Sequence, residues 1–318
     1  MMGKGAILML TLLLIANIEG SKTKKHVTLE ASDEIISAGR FHTCGINKRP
    51  GIDVGGALSC WGYNDHGQAS PPHGIFVQVS SGHFHSCGLT ISGYVECWGS
   101  IDWVPSTKTS YDFYKQVSSG EHHVCAIKRR DGNIECWGRN DFGESSPPKG
   151  SFRQISSGNG HTCGIRTDQS VTCWGKNHYG ESEPPSQTRF NQISVGSVHH
   201  VCGITTKEDI VCWGDNRRKQ APHDALKGPF VQVSSGGRST CAIHKERGLE
   251  CWGSSQMALR LSKLDDTEEK NEFYQISSGH GHMCAVHKEN DKLSCWSFSG
   301  ANFGAHQVPL GFRSALLI

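Results

Sequence analysis

Fourteen cysteines fall into seven pairs that recur along the whole chain, and this pattern restricts the fold more than any other feature. The pairs are Cys44/Cys60, Cys87/Cys97, Cys125/Cys136, Cys163/Cys173, Cys202/Cys212, Cys241/Cys251 and Cys284/Cys295, with no cysteine left over. Partners stand 10 or 11 positions apart in six pairs and 16 in the first. The first members follow one another at 43, 38, 38, 39, 39 and 43 residues. A period near forty is the mark of a repeat architecture, in which each unit buries its apolar face against its neighbours.

The unit opens with F-x-Q-[IV]-S, as in Phe76–Ser80, Phe152–Ser156, Phe190–Ser194, Phe230–Ser234 and Phe273–Ser277. A glycine follows, then two variable residues, then H-x-C-[GA]-[ILV]. A polar turn leads to C-W-G, which becomes Cys295-Trp296-Ser297 in the last copy, and several copies continue through Asn and Gly to Pro-Pro. Each apolar run is short, rich in β-branched and aromatic residues and alternating, and is bounded by Gly, Ser, Asn or Pro. These are strand signals, and helical periodicity is absent. Three strands per unit are clear, and the Asn-to-Pro segment predicts a weaker fourth. Forty residues with three or four antiparallel strands match a propeller blade. The expected fold is all-β: one seven-bladed β-propeller over residues 21–318. Asp33–Ser37 reads as a degraded first strand lacking its Phe and Gln. With the extra Phe312–Leu316 segment it suggests that one end of the chain completes a blade begun by the other, removing exposed edges.

In a strand, residues i and i+2 face the same way, so a hairpin turning near Thr167–Gln169 sets Cys163 opposite Cys173, within disulfide reach. The spacing therefore predicts one disulfide stapling the middle hairpin of each blade; bridges between blades and reduced packing cysteines are the alternatives. An even cysteine count behind a leader fits an oxidising compartment. Residues 1–20 have such a character: Lys4, an apolar run from Ala6 to Ile18, then Gly20 and Ser21, too short a run to span a bilayer comfortably. They predict a cleaved signal peptide and a secreted, extracellular protein with no membrane span.

Zinc finds no four-ligand set in the repeats, which offer only H-x-C and one distant Cys, so no metal and no cofactor is expected. The histidine two places before the first cysteine (His42, His85, His123, His161, His200, His282; Ser239 in the sixth unit) recurs too often to be catalytic. It predicts a buried imidazole bonded to backbone at the entering turn. The repeated tryptophan is expected between adjacent blades.

The pattern S-[SA]-G-x-x-H-x-C-[AG]-[IL], followed by V-x-C-W-G-x-N-x-x-G and Pro-Pro, resembles the regulator-of-chromosome-condensation repeat over essentially all of the chain past residue 20. The paired cysteines are most similar to the variant in crinkly-type plant receptor ectodomains. A similar repeat builds the propeller-type inhibitor of β-lactamase. The resemblance implies a seven-bladed ring. The nuclear founder's exchange activity on a small GTPase is not expected here, because cysteines and leader place the chain away from that partner.

Hairpin-joined strands put alternate turns at opposite ends, so the G-x-x-H and W-G-x-N-x-x-G turns should share one face. With the framework constant, recognition is expected at the varied positions. The first turn offers Arg40, Phe41, His83, Phe84, Glu121 and His122, continued by Asn159, Ser197, Val198, Arg238 and His280. The second offers His66, Phe142, Tyr179, Arg217 and Arg218. Aromatics and arginines suit an interface centre. Trp103 lies outside the motif, as a surface anchor or a buried filler, and residues 263–272 form an acidic insertion.

A net charge of +2 gives no reason to expect nucleic acid. No nucleophile elbow, metalloprotease helix or phosphate loop occurs, so an enzyme is not expected. The reading is a secreted binding module for an extracellular protein or glycan. A structural component of an extracellular matrix is the alternative, and an extracellular enzyme the third.

Overall fold

The computed structural model describes residues 35–47, 54–100, 112–254, 273–297 and 304–309. The expected signal peptide, residues 312–316, Trp103 and the acidic insertion lie outside them. Within them the chain forms seven three-stranded antiparallel sheets and no helix. The sheets cover residues 36–62, 76–99, 114–138, 152–175, 190–214, 230–253 and 273–297, and are numbered here as blades one to seven. Each F-x-Q-[IV]-S run is an inner strand, each H-x-C run a middle strand and each C-W-G run an outer strand. Among the described residues the expected fourth strand does not form: the Asn-to-Pro segments are turns, and outside the strands there are two isolated bridges, Gly56 to Phe76 and Ile210 to Leu226.

All seven predicted disulfides are present, one in each blade. They join Cys44 to Cys60, Cys87 to Cys97, Cys125 to Cys136, Cys163 to Cys173, Cys202 to Cys212, Cys241 to Cys251 and Cys284 to Cys295. In every case the two residues are direct cross-strand partners on the middle and outer strands, with Cα atoms 4.0–4.1 Å apart. Bridges between blades and reduced cysteines, the alternatives left open by the sequence, do not occur: among the described residues no cysteine is free. The two ends of each bond differ in environment. The middle-strand cysteines are fully buried, whereas Cys60, Cys136, Cys173, Cys251 and Cys295 on the outer strands are half-buried; only Cys97 and Cys212 are covered there.

The core divides into clusters at the junctions between blades. Cys163 and Ile165 of blade four meet Phe190, Ile193 and Trp213 of blade five; Cys125 and Ile127 of blade three meet Phe152, Ile155 and Trp174 of blade four. The repeated tryptophan thus lies between blades, as expected.

Polar rings cross the same junctions. In all seven, the first serine of one inner strand accepts, on its hydroxyl, a backbone N–H of the next blade: Ser80 from Ser119, Ser118 from Ser157, and finally Ser277 from Ala38. The glutamine two residues earlier does likewise. Gln116 accepts from Ile155 N–H and returns its own amide N–H to the Ile155 carbonyl, acting as a short stand-in for a strand. Six junctions carry this glutamine bond, and the one leaving blade one, where Ile35 stands at the position, does not. Ring closure shows in the bonds from Ile35 and Ala38 to Gln275 and Ser277.

The tryptophans report a second linkage. Trp98, Trp174, Trp213 and Trp252 donate from Nε1 to the carbonyls of Gln68, Glu144, Glu181 and Gln220, each at the end of the preceding unit's Asn turn. Trp61 of blade one donates to Ala305, from the far end of the chain. The last unit's turn therefore serves the first blade, and this latches the two ends together.

The recurrent histidines are buried, as predicted, but their partner is not mainly the backbone. Nε2 of His42, His123, His200 and His282 is hydrogen-bonded to Ser86, Thr162, Thr240 and Thr43, each on the middle strand of the next blade. Only His161 reaches a turn carbonyl, that of Asn159, through Nδ1 at 3.3 Å. Three of these hydroxyls donate onward to the turn carbonyl that also receives the tryptophan. Where the next blade offers valine, as Val124 and Val201, Nε2 of His85 and His161 is buried without a partner. Where it offers Met283, the histidine itself is replaced by Ser239.

Val201→Thr would place a hydroxyl between His161 Nε2 and the Glu181 carbonyl, completing the missing bridge. An increase of about 1 kcal/mol in unfolding free energy is expected, the usual gain from one satisfied buried hydrogen bond; a loss measured by urea titration would contradict this reading. Burial also lowers all six histidines far below the ordinary 6.5, to about 4 for His161 and about 3 for the others. They stay neutral in the folded chain while the unfolded chain takes up protons below 6.5. Their contribution is thus fully present above that pH and is lost as pH falls toward 3, at up to about 1.4 kcal/mol per unit for each histidine. Equilibrium unfolding between pH 7.5 and 5 should show multi-proton uptake, reduced by about one proton in His200→Ser; a flat profile would contradict it.

Candidate functional site

The glycine turns that enter the seven middle strands converge at one end of the central channel. Each turn's glycine lies against the glycine carbonyl of the next blade, around the ring from Gly39 through Gly279 and back to Gly39. The residue after it donates its N–H to the same carbonyl: Arg40 to Gly82, Glu121 to Gly158, Ser197 to Gly236 and His280 to Gly39. A Cβ on Gly158 would sit 2.5 Å from the Gly196 oxygen, so glycine is required there by close approach. This packing fixes where the varied side chains go. The first varied residue of a turn faces the channel mouth, which Arg40, His83, Glu121, Asn159 and Ser197 line. Phe84 and His199, the residues directly before the framework histidine in their turns, lean outward onto the Asn turn of the preceding unit.

The outward contacts place both families of turns on one face, as the sequence predicts. Phe84 lies on His66, ring centroids 4.7 Å apart, and Tyr179 lies on His199 at 5.0 Å. Phe142 packs beside Gly160 under the Lys176 ammonium. Phe142 and Tyr179 remain exposed. Arg217 covers the Tyr179 ring at 4.4 Å while its guanidinium grips Asp215 through two hydrogen bonds. Arg218 and Arg238 are exposed, on the Asn turn leaving blade five and the entering turn of blade six.

Blades one to three carry the densest part. Phe41 lies within 5.7–6.5 Å of the Tyr63, His83, Phe84 and His280 rings, and His83 stacks on Phe84 at 3.8 Å. Glu121 is the electrostatic hub. Its Oε1 is 2.9 Å from Arg40 Nη1, 3.0 Å from His83 Nδ1 and 4.0 Å from His122 Nε2. Partial burial alone would raise the Glu121 pKa, but His83, His122 and Arg40 outweigh it and hold the group below the ordinary carboxylate value. Across the mouth, Ser197 Oγ meets His280 Nδ1 at 3.4 Å. Burial and the nearby Arg40 and Arg238 bring His280 down to about 4. A ring of aromatic faces around a charged centre can grip a surface in two ways, by apolar contact and by hydrogen bonds to fixed charges.

Two rim residues escape the sequence reading. Tyr63 directly follows C-W-G, where the next five units have Ser, Arg, Lys, Asp and Ser, so no repeated signal marks it. His199 is missed because the turn of blade five holds three residues, Ser197, Val198 and His199, where the others hold two. The outward position is the one directly before the framework histidine. It belongs to His199, and Val198 is the inserted residue.

The sequence profile of the Regulator of chromosome condensation (RCC1) repeat matches residues 76–100, 114–144, 152–181 and 190–220. A curated relative, the serine/threonine-protein kinase-like protein CCR2 of Arabidopsis thaliana, is 26% identical over 196 residues, 57% of this chain and 22% of the relative. The chain thus spans about a fifth of that protein's length. Two solved structures share the fold. The entire ectodomain of the Physcomitrella patens receptor kinase CR4 has a TM-score of 0.66 at 24% identity, covering 83% of this chain and 73% of that one. The CRINKLY WD40 ectodomain of the Arabidopsis thaliana receptor kinase ACR4 has a TM-score of 0.65 at 24% identity, covering 88% and 96%. Four of the seven units match that repeat in order, and the fold shared with the two ectodomains is a seven-bladed propeller.

Proposed function

We propose that the protein is a secreted recognition module that engages an extracellular protein or glycan through the rim of this mouth. One observation carries the reading: the residues that vary between otherwise superimposable units converge on one face, where they bring Phe41, Tyr63, Phe84 and Tyr179 together with Arg40 and Arg217. Aromatic and arginine side chains supply most of the binding energy at protein interfaces, and a rigid scaffold holds them without an ordering cost. Seven disulfides suit an oxidising compartment outside the cytosol, and the leader-like residues 1–20 agree. The two structural relatives are themselves described as receptor ectodomains. Exchange activity on a small GTPase and binding to nucleic acid are not part of this function, since the near-neutral chain offers no field for a polyanion.

The test is affinity capture from the native extracellular fluid with the intact protein and with the triple variant Phe41→Ala, Phe84→Ala, Tyr179→Ala. A partner retained by the first and lost, by about 2 kcal/mol or more, by the second is expected. The variant's unfolding midpoint should stay near that of the parent. A partner bound equally well by both would move recognition to another surface.

A further inference from the structure

The varied positions of blades two and three hold three metal-ligand side chains on two consecutive turns: His83 in Gly82-His83-Phe84-His85, and Glu121 and His122 in Gly120-Glu121-His122-His123. The framework histidines that follow them, His85 and His123, are buried, and each turn's conformation is tied down by the glycine ring. His83 is held further by its stack on Phe84. One donor atom from each of His83, Glu121 and His122 lies within 4.8 Å of the others, the only such trio among the described residues.

We propose that His83, Glu121 and His122 form a binding site for a divalent transition-metal ion, with zinc as the reference ion. Two imidazoles and one carboxylate are the donor types that zinc takes at about 2.0–2.2 Å, which sets donor atoms of a tetrahedral site roughly 3.4 Å from one another. The separations of 3.0 Å from His83 Nδ1 and 4.0 Å from His122 Nε2 to Glu121 Oε1 bracket that value, so small side-chain rotations close the site. Three ligands leave a fourth position for water or for a donor group of a partner. The ion would bridge blades two and three at the channel mouth and fix the His83–Phe84 pair.

The charge now facing these donors comes from Arg40 on blade one. Its Nη1 is 2.9 Å from Glu121 Oε1 and 3.4 Å from His83 Nδ1, so the guanidinium occupies the position a cation would take. Its alternative seat is adjacent, since it already lies over the Phe41 ring at 5.2 Å. Arg139 stands near His122 but is engaged by Asp141, and His280 faces the cluster from across the mouth. Metal and Arg40 are therefore competitors for one carboxylate, and this gives the site a signature that scattered surface histidines would not show.

The experiment is calorimetric titration of zinc chloride into the disulfide-intact protein at pH 7.5, alongside His83→Ala, Glu121→Gln, His122→Ala and Arg40→Ala. One ion per chain is expected. Each ligand variant should weaken binding by more than about 10-fold, the lower bound even for outer-shell partners of a metal site. Arg40→Ala, with the competing charge removed, should bind more tightly. Cobalt(II) should give a visible absorption band that the ligand variants lose. No uptake at millimolar zinc, uptake unchanged in the three ligand variants, or weaker binding in Arg40→Ala would each overturn the site.

Discussion

The ring of seven glycines at the channel mouth is the constraint on which the rest depends. Each glycine leaves room for the next blade's carbonyl, and the following N–H bonds to that carbonyl at Arg40, Glu121, Ser197, Gly237 and His280. A side chain at any of the seven would force neighbouring blades apart at their closest approach. Outward from that ring, the junctions are knitted first by serine hydroxyls, then by glutamine amides, and then by apolar clusters with a tryptophan. The disulfides lie inside blades and so hold each sheet's hairpin; they do not join the blades. Closure is thus the work of glycine, serine, glutamine and tryptophan, and blade integrity that of cysteine.

A closed ring of this kind separates framework from variation. The first varied residue is aimed at the mouth in Arg40, His83, Glu121, Asn159 and Ser197, and the second lies on the neighbouring Asn turn in Phe84 and, one place later, His199. Arg40, Glu121 and Ser197 therefore sit at equivalent places and do different things. The inserted residue in blade five shows how strict the geometry is: His199, directly before the framework histidine, takes the outward place beside Tyr179, and Val198 is accommodated as an extra. A surface so built can change its chemistry from sector to sector without disturbing the fold, which is what a recognition rim requires.

Much of this was legible in the sequence because it is periodic. The blade number, the strand order within a blade, the disulfide pairing and the shared face of the two turn families all follow from residues that recur. What was not legible depends on contacts between units. The hydroxyl partners of His42, His123 and His200 lie some forty residues away, and that of His282 lies near the other end of the chain, all at the position between His and Cys, where Thr, Ser, Val and Met alternate and look like noise. The role of Gln in F-x-Q-[IV]-S is equally hidden, because a buried amide spanning two blades has no local signature. The fourth strand failed for a physical reason: the Asn side chains bond the turn's own backbone, as Asn140 Oδ1 does with Ser145 N–H, and Glu144 caps Phe142 N–H, so those groups are not offered to a sheet edge. At the mouth, sequence could name the residues but not that Arg40, His83 and His122 share the Glu121 carboxylate.

The most direct test of the glycine ring is the stability of Gly158→Ala, measured by chemical denaturation with the disulfides intact. The methyl group would meet the Gly196 carbonyl oxygen at 2.5 Å and Val195 and His161 almost as closely. Overpacking of this kind costs about 1–3 kcal/mol or more, so a marked fall in the unfolding midpoint is the predicted result. A variant as stable as the parent would show that the blades do not depend on this close approach, and would contradict the account of how the ring is closed.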